Sequence, residues 1–292
     1  MIIICLFFYC KTKGQDTINQ KRFTTTIAAT TGLYIGTMTG LYQTWYKEIP
    51  SSNFHFFNDF NQWNYMDKIG HSMTSYYIGL AGYSTLKWCG VSEKKSVWYG
   101  GMFGTFFLTT VEIFDGFSSN WGFSGSDMAS NVIGSGIFVS QQLAWKEQRI
   151  LLKYSFYQSE YAQLRPNILG RNLREQLLKD YNGQTYWLSF NISSLVKIEN
   201  SFPKWLNLAV GYGAEGLIGG TTNTYWSGNQ LYDYSTISRR KQLFLSLDAD
   251  LTKIKTKNRV LKTLFTTFGF IKVPFPSLVW EESKGIKLLP IQ

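Results

Sequence analysis

The chain has 292 residues, of which 44% are hydrophobic, 17% aromatic and 16% charged, and its formal net charge is +10. This length is sufficient for a sizeable core in one or two domains. The basic residues are dispersed and no nucleic-acid-binding motif accompanies them, so the positive charge does not indicate a nucleic-acid partner.

The aromatic content suggests a different partner. The chain contains 10 Trp and 18 Tyr, residues whose rings bury one face and keep a polar edge in water at a lipid interface. Attraction to anionic headgroups also explains the basic balance. We therefore expect membrane lipid as a partner, and an aromatic-rich soluble core is the alternative.

The first 14 residues are predicted to be a signal peptide. Ile2 to Tyr9 is an apolar run too short to span a bilayer, and cleavage before Gln15 would place Thr12 and Gly14 at the −3 and −1 positions. Cys10 is an alternative lipidation site, but the bulky residues before it favour plain cleavage.

Cleavage would leave Cys89 as the remaining cysteine, which excludes an internal disulfide. The lack of paired Cys and His ligands also excludes a typical zinc site, and no cofactor is expected.

Residues 23–148 are predicted to form a bundle of four apolar helices. Phe23 to Tyr46 has no charged residue and is long enough to cross a bilayer, although its Thr content is also compatible with an ordinary packed helix. Three further helices are expected from Asp67 to Trp88, from Lys94 to Phe114, and from a Ser124 or Ser126 cap to Trp145.

Two other features of this half concern packing. Glycines spaced four apart create small helix faces that allow close approach; they are Gly32, Gly36 and Gly40, Gly100 and Gly104, and the group Gly134, Ser135 and Gly136. The aromatic stretch from Ser51 to Trp63 is predicted to lie on a membrane or to cover the bundle as a lid.

Residues 149–292 are predicted to be rich in antiparallel β-structure, which makes the fold class α+β. The predicted strands are Leu151–Tyr157, Gln184–Val196, Trp205–Tyr212 and Leu243–Leu251. In the last of these, leucines alternate with Phe244, Ser246 and Asp248, as in a half-buried strand. Basic residues from Lys253 to Lys262 indicate an amphipathic helix on anionic lipid or a solvated face, and an extended tail is expected after Pro276.

Strongly polar residues concentrate at the ends of the predicted helices. We expect seven of them to converge: Asp67, Lys68, His71, Glu112, Asp115, Asp127 and Asn131. Buried acids and bases are costly unless they neutralise one another, so a structural network is the preferred interpretation. The alternative is a catalytic or metal site built from His71, Glu112, Asp115 and Asp127, whose oxygen-rich ligands would suit Mg²⁺, Mn²⁺ or Ca²⁺.

The ordered motifs Asp67-Lys68-x-x-His71, Glu112-x-x-Asp115 and Trp121-Gly-x-Ser-Gly-x-Asp127, followed by Gly134, resemble the YfiM-like family of predicted periplasmic lipoproteins, a domain of unknown function. The resemblance covers residues 67–144. It implies a helical domain in the envelope of a Gram-negative bacterium, and the β-rich region is similar to the extension of Bacteroidetes-type members. It supplies no catalytic role.

From these features we expect a non-enzymatic protein of the cell envelope, membrane-embedded or membrane-associated. A structural or assembly role at the outer membrane, with lipid and other envelope proteins as partners, fits the aromatic content and the small-residue helix faces. The alternative is a membrane-proximal hydrolase that acts on lipid or cell-wall material through the His/Glu/Asp residues.

Overall fold

The computed structural model describes residues 18–47, 49–196 and 202–290. The predicted signal peptide, with Cys5 and Cys10, lies outside these residues. The described residues form two compact units, one within residues 18–60 and 71–148 and the other within residues 61–70 and 149–290. The first unit is helical and the second contains the sheets, so the fold class is α+β.

The helical half is more fragmented than a four-helix bundle. Its α-helices are α1 (Gln20–Leu41), α2 (Met66–Trp88), α3 (Glu93–Lys95), α4 (Phe103–Gly116) and α5 (Gly125–Trp145). The helix predicted from Lys94 to Phe114 is divided by a π-helical turn at Ser96–Gly100. A Cβ atom added at Gly100 would lie 2.4 Å from the Tyr83 backbone nitrogen, so the helix is interrupted where it packs directly against α2.

The ends of two helices follow the expected capping chemistry. Asn19 accepts a hydrogen bond from the Arg22 amide at the start of α1, and the Ser124 hydroxyl accepts one from the Asp127 amide at the start of α5. The prediction of a Ser124 cap is therefore confirmed.

Among the residues that the structure describes, no helix combines the length and apolar character needed to cross a membrane. The membrane-spanning interpretation of residues 23–46 is therefore not supported.

Glycines bring α2 into backbone contact with its neighbours. A Cβ atom at Gly104 of α4 would lie 2.0 Å from the Ser75 carbonyl oxygen, and one at Gly134 of α5 would lie 2.0 Å from the Ser72 carbonyl oxygen. The close contact allows the Ser75 hydroxyl to donate to the Asn131 carbonyl at 2.6 Å.

The prediction of close packing is thus confirmed at Gly104 and Gly134. At Gly136, as at Gly32, Gly36 and Gly40, an added Cβ would meet no described atom within 4 Å. Small residues on a helix face permit another helix to approach closely. Close packing occurs only where a neighbouring helix lies against that face.

The second unit is built on a six-stranded antiparallel sheet in the order β1-β2-β3-β6-β7-β8, beside a two-stranded hairpin of β4 and β5. The strands are β1 (Ile150–Phe156), β2 (Gln184–Asn191), β3 (Leu206–Glu215), β4 (Thr224–Ser227), β5 (Gln230–Asp233), β6 (Arg240–Ala249), β7 (Ser277–Glu281) and β8 (Gly285–Leu289). The four predicted strands are present as β1, β2, β3 and β6. The hairpin is an addition to the predicted strands, and the last two strands replace the predicted extended tail.

Short helices complete this unit: α6 (Pro166–Leu169), α7 (Leu173–Lys179), α8 (Ile192–Leu195) and α9 (Arg259–Thr267). The basic helix predicted from Lys253 begins later, at Arg259, because the Asn258 side chain accepts hydrogen bonds from the Val260 and Leu261 amides and caps it.

The sheet is inverted relative to an ordinary soluble sheet. Along β6, Phe244, Ser246 and Asp248 are buried, whereas Leu243, Leu245 and Leu247 are 43–46% exposed. The alternation expected in this strand is correct. Its buried face carries Ser246 and Asp248 beside Phe244, and its outer face carries the leucines.

The buried face contains a full ion pair. Lys153 of β1 donates to Asp248 of β6 at 2.8 Å, and both side chains are 0% exposed. In a flat sheet these strands would be three spacings, about 14 Å, apart. The sheet therefore curves around this pair. Residues 270–272 cover the outer edge of β1, where the Tyr154 amide donates to the Phe270 carbonyl at 2.8 Å.

The glycine contacts give a prediction about stability. Gly104→Ala and Gly134→Ala should each lower the free energy of unfolding by about 1–3 kcal/mol, because the new methyl group forces helices apart. Gly136→Ala, in the same helix as Gly134 but in open space, should be neutral or stabilising by up to about 1 kcal/mol through helix propensity. Urea unfolding of the full chain measures the difference, and equal effects at Gly134 and Gly136 would contradict the packing.

Candidate functional site

His71 lies at the centre of a polar cluster in the helical unit. Its Nδ1 donates to the Asn131 side-chain oxygen at 3.0 Å, since an amide oxygen can only accept. Nδ1 also lies 3.8 Å from Glu112 Oε1, and Nε2 lies 4.0 Å from Asp127 Oδ1. Helix α2 thus supplies the imidazole, and helices α4 and α5 each place polar groups against it.

Glu112 is an acid of the cluster whose pKa is raised by its surroundings. Its side chain is 1% exposed, and its Oε2 accepts a hydrogen bond from the Ser124 amide at 3.2 Å. Within the described part of the chain, Oε1 has no hydrogen-bond donor. Burial raises the pKa of Glu112 to about 8; His71 opposes this shift, and the charges of Asp127 and Asp115 add to it. A carboxyl group in this position binds a proton near neutral pH.

A second set of hydrogen bonds fixes the start of α5. The Ser124 and Ser126 hydroxyls both donate to Asp59 Oδ1, at 2.6 and 2.8 Å. The aromatic segment before Asp59 is held in place by backbone contacts, including a donation from the Phe57 amide to the Phe123 carbonyl at 3.0 Å. This favours the lid interpretation of the 51–63 segment.

The sequence pattern does not predict Asp59 as a member of the polar cluster. It lies in an irregular aromatic loop, 65 residues from Ser124, and no helical spacing links the two. The only local sign is a carboxylate in an otherwise uncharged aromatic stretch.

The other predicted residues have different surroundings. Asp115 accepts a hydrogen bond from the Tyr46 hydroxyl at 2.7 Å, and burial, followed by the Asp115 charge, raises the pKa of Tyr46. Lys68 donates to Asp67 at 3.0 Å, and Asp67 accepts from the Tyr181 hydroxyl at 2.8 Å. Asp67 and Lys68 belong to the second unit, whereas His71 belongs to the first.

The cluster has the residue types for a cation, and the two nitrogens of the His71 ring face different groups. Nδ1 of His71 faces Asn131 and Glu112, while Nε2 faces Asp127. An imidazole and carboxylates in this arrangement can also exchange and share protons.

One comparison with known proteins gives a match. Residues 55–141 match the family model described as "Predicted periplasmic lipoprotein (DUF2279)". These residues are therefore similar to the DUF2279 family. The resemblance inferred from the motifs at Asp67, Glu112 and Trp121 is thereby confirmed, and the match also includes part of the aromatic segment.

The DUF2279 match covers the cluster residues from Asp59 to Asn131 and ends before β1. Its description agrees with the expected envelope location and with a periplasmic protein of unknown function. No curated protein and no solved structure matches the chain.

The pKa of Glu112 predicts how stability depends on pH. The unfolded glutamate releases its proton near its ordinary pKa of 4.5, whereas the folded one keeps it up to about 8. The folded state binds more protons in this window, so the free energy of unfolding should fall as pH rises through it, by at most about 1.4 kcal/mol per pH unit.

Glu112→Gln should flatten this dependence, because glutamine does not titrate. Glu93→Gln is the matched control, since the pKa of Glu93 is lowered despite its burial, by hydrogen bonds from Tyr83, Gln142 and Lys87. The melting temperatures of wild type and both variants, measured from pH 5 to pH 9, show whether Glu112 causes the pH dependence. Parallel curves for wild type and Glu112→Gln would show that Glu112 does not hold the proton.

Proposed function

We propose that this chain is a non-enzymatic protein of the cell envelope that associates with a membrane and has a structural or assembly role at the outer membrane. The observation that carries the proposal is the apolar outer face of the six-stranded sheet. The DUF2279 match supports the envelope location, and the role at the outer membrane is our extension of it.

The outer face is continuous across the strands. One row of paired residues runs from Leu188 through Val210 and Leu245 to Leu278 and Leu288. A neighbouring row contains Leu243, Trp280 and Ile286. The residues of these rows, with Leu208 and Leu247, are between 39% and 74% exposed.

The size of this face distinguishes it from scattered surface leucines. The five strands β2, β3, β6, β7 and β8, spaced about 4.8 Å apart, with apolar rows about 7 Å apart along each strand, cover roughly 350 to 500 Å². The largest apolar patch on a typical soluble monomer is of similar or smaller area and is often functional. A patch of this kind therefore indicates an interaction surface.

The sheet has leucines on its outer face and a charged pair on its buried face, and this arrangement favours lipid over water as the medium around the outer face. In water, a sheet would gain by burying Leu245 and Leu278 and exposing Asp248, because apolar burial contributes about 25 cal/mol per Å². Here Asp248 and Lys153 are buried together and the leucines are outside. The net charge of +10 is also favourable beside anionic headgroups. We therefore choose a lipid surface as the occupant of this face.

The hydrolase alternative has less support. Glu112, Asp127 and Asn131 are all at most 4% exposed, so substrate access to them is limited. The His71 side chain is 18% exposed, and both its nitrogens already face buried groups. The cluster is better explained as a network that joins three helices of the DUF2279-like region.

The lipid proposal is tested by flotation of the full chain with neutral phosphatidylcholine vesicles. Leu245→Asp combined with Leu278→Asp places two charges on adjacent strands in the middle of the outer face. Partition into the vesicles should fall by at least roughly tenfold, since two half-exposed leucines are lost and two carboxylates must be desolvated.

Leu178→Asp is the matched control. Leu178 is 63% exposed but lies on α7, outside the sheet, so vesicle partition should be unchanged. Circular dichroism establishes that each variant is folded. A folded double variant that floats like wild type would refute lipid contact through this face and would favour an envelope protein as its partner.

A further inference from the structure

Helix α9 turns apolar side chains outward. Val260 and Leu264 are 67% and 43% exposed, and their spacing of four residues places them on one side of the helix. A surface helix of a soluble protein ordinarily packs its apolar side against the core. In α9 the inward side includes the buried Thr267, with Thr263 and Phe265 half-buried. The helix therefore has an exposed apolar side, as the sheet has an exposed apolar face.

The chain that leads into α9 is strongly basic. Residues 251–280 contain six Lys and Arg residues and no Asp or Glu. Four of the six lie in the basic segment, Lys253–Arg259, and three of those four are exposed: Lys255, Lys257 and Arg259. The acids that precede this segment, Asp248 and Asp250, are only 0% and 2% exposed. The surface of the basic segment is therefore positively charged.

The basic segment and α9 are attached to the sheet at both ends. Before α9, the Lys253 ammonium donates to the Asn191 side-chain oxygen at 2.9 Å, where β2 ends. After α9, the Tyr154 amide of β1 donates to the Phe270 carbonyl at 2.8 Å, and the Lys272 amide donates to the Tyr154 carbonyl at 2.9 Å. Since β1 is an edge strand, this part of the chain extends from one end of the sheet to its edge.

A tryptophan and a further lysine lie at the same end of the sheet. Trp205 is 37% exposed, and its carbonyl accepts a hydrogen bond from the Asp250 amide at 2.8 Å, close to the basic segment. Lys204 is exposed, and its carbonyl accepts from the Asn191 side chain at 2.9 Å. Trp is enriched at the boundary between lipid and water, and Lys extends its charged end there into the headgroups. These residues indicate a membrane boundary independently of α9.

We propose that the basic segment and the apolar side of α9 bind the surface of a membrane that contains anionic lipid. Basic residues without intervening acids fit a surface of uniform negative charge, and each one near such a surface strengthens binding about fivefold. Val260 and Leu264 enter the boundary between headgroups and acyl chains. The contact rests on the proposed function, because α9 adjoins the sheet that we place against lipid, and it adds the class of lipid that is recognised.

Flotation of the full chain with two kinds of vesicle tests the contact. One kind is phosphatidylcholine alone, and the other is phosphatidylcholine and phosphatidylglycerol in equal parts. The wild-type chain should partition more strongly onto the vesicles that contain phosphatidylglycerol. Lys255→Gln combined with Lys257→Gln should weaken partition onto these vesicles by at least roughly tenfold, because two bases are lost from the membrane surface. Partition of this variant onto phosphatidylcholine alone should equal that of wild type.

Arg171→Gln combined with Arg174→Gln is the matched control. It removes the same charge from two exposed positions at α7 in the same unit, so partition onto the anionic vesicles should stay close to that of wild type. An equal loss in both double variants would overturn the proposal, because net charge alone would then explain the attraction. Equal flotation of the wild-type chain with both kinds of vesicle would also overturn it. The test of the outer sheet face uses neutral vesicles, so failure of that contact is a separate result.

A second variant tests the apolar side of α9 without a change of charge. Val260→Ser combined with Leu264→Ser should weaken partition onto the anionic vesicles by at least roughly fivefold, because two apolar side chains no longer enter the lipid. Both positions are exposed, so circular dichroism and the melting temperature should show a folded protein. A folded variant with wild-type partition would overturn the proposal, since α9 would then be an ordinary solvated helix.

Discussion

The ion pair between Lys153 and Asp248 joins β1 to β6 across the buried face of the sheet, with no exposure on either side chain. Desolvating two charges is compensated only by close geometry and further hydrogen bonds. Both are present, because the Ser189 hydroxyl donates to Asp248 at 2.6 Å and Lys153 also donates to the Ala249 carbonyl at 2.7 Å. The pair curves the sheet inward around its polar residues, and the alternation of strand side chains then places the leucines outside.

The helical unit shows the same arrangement on a smaller scale. Glu112, Asp127 and Asn131 are buried against His71, where three helices are brought together by glycine contacts at Gly104 and Gly134. In both units, therefore, buried polar groups lie among the apolar core residues, and many large apolar side chains are at the surface. This distribution lowers the free energy of a protein beside an apolar medium. It explains the low charge and high aromatic content without requiring a helix that crosses the membrane.

Part of this structure could be predicted because the signals are local. Helix α2 and the start of α5 follow from hydrophobic runs, caps and glycine stops, and β1, β2, β3 and β6 follow from alternation. Local signals do not predict an element whose conformation depends on packing or pairing with a segment that is distant in the chain. The π-helical turn at Ser96–Gly100 ends at a glycine that lies against the backbone of α2, a contact that no local pattern reveals. The strands β7 and β8 pair with β6 and with each other, although their own sequence resembles an extended tail.

The sequence by itself determined the α+β class, the DUF2279 resemblance and the residues that carry acid, base and imidazole groups, because each depends on residue type and spacing along the chain. Only the tertiary structure decided how they meet. It adds Asp59 to the hydrogen bonds at the start of α5. It also decides which face of β6 is buried, because alternation defines two faces and only the partner side chains, Lys153 above all, select the inner one.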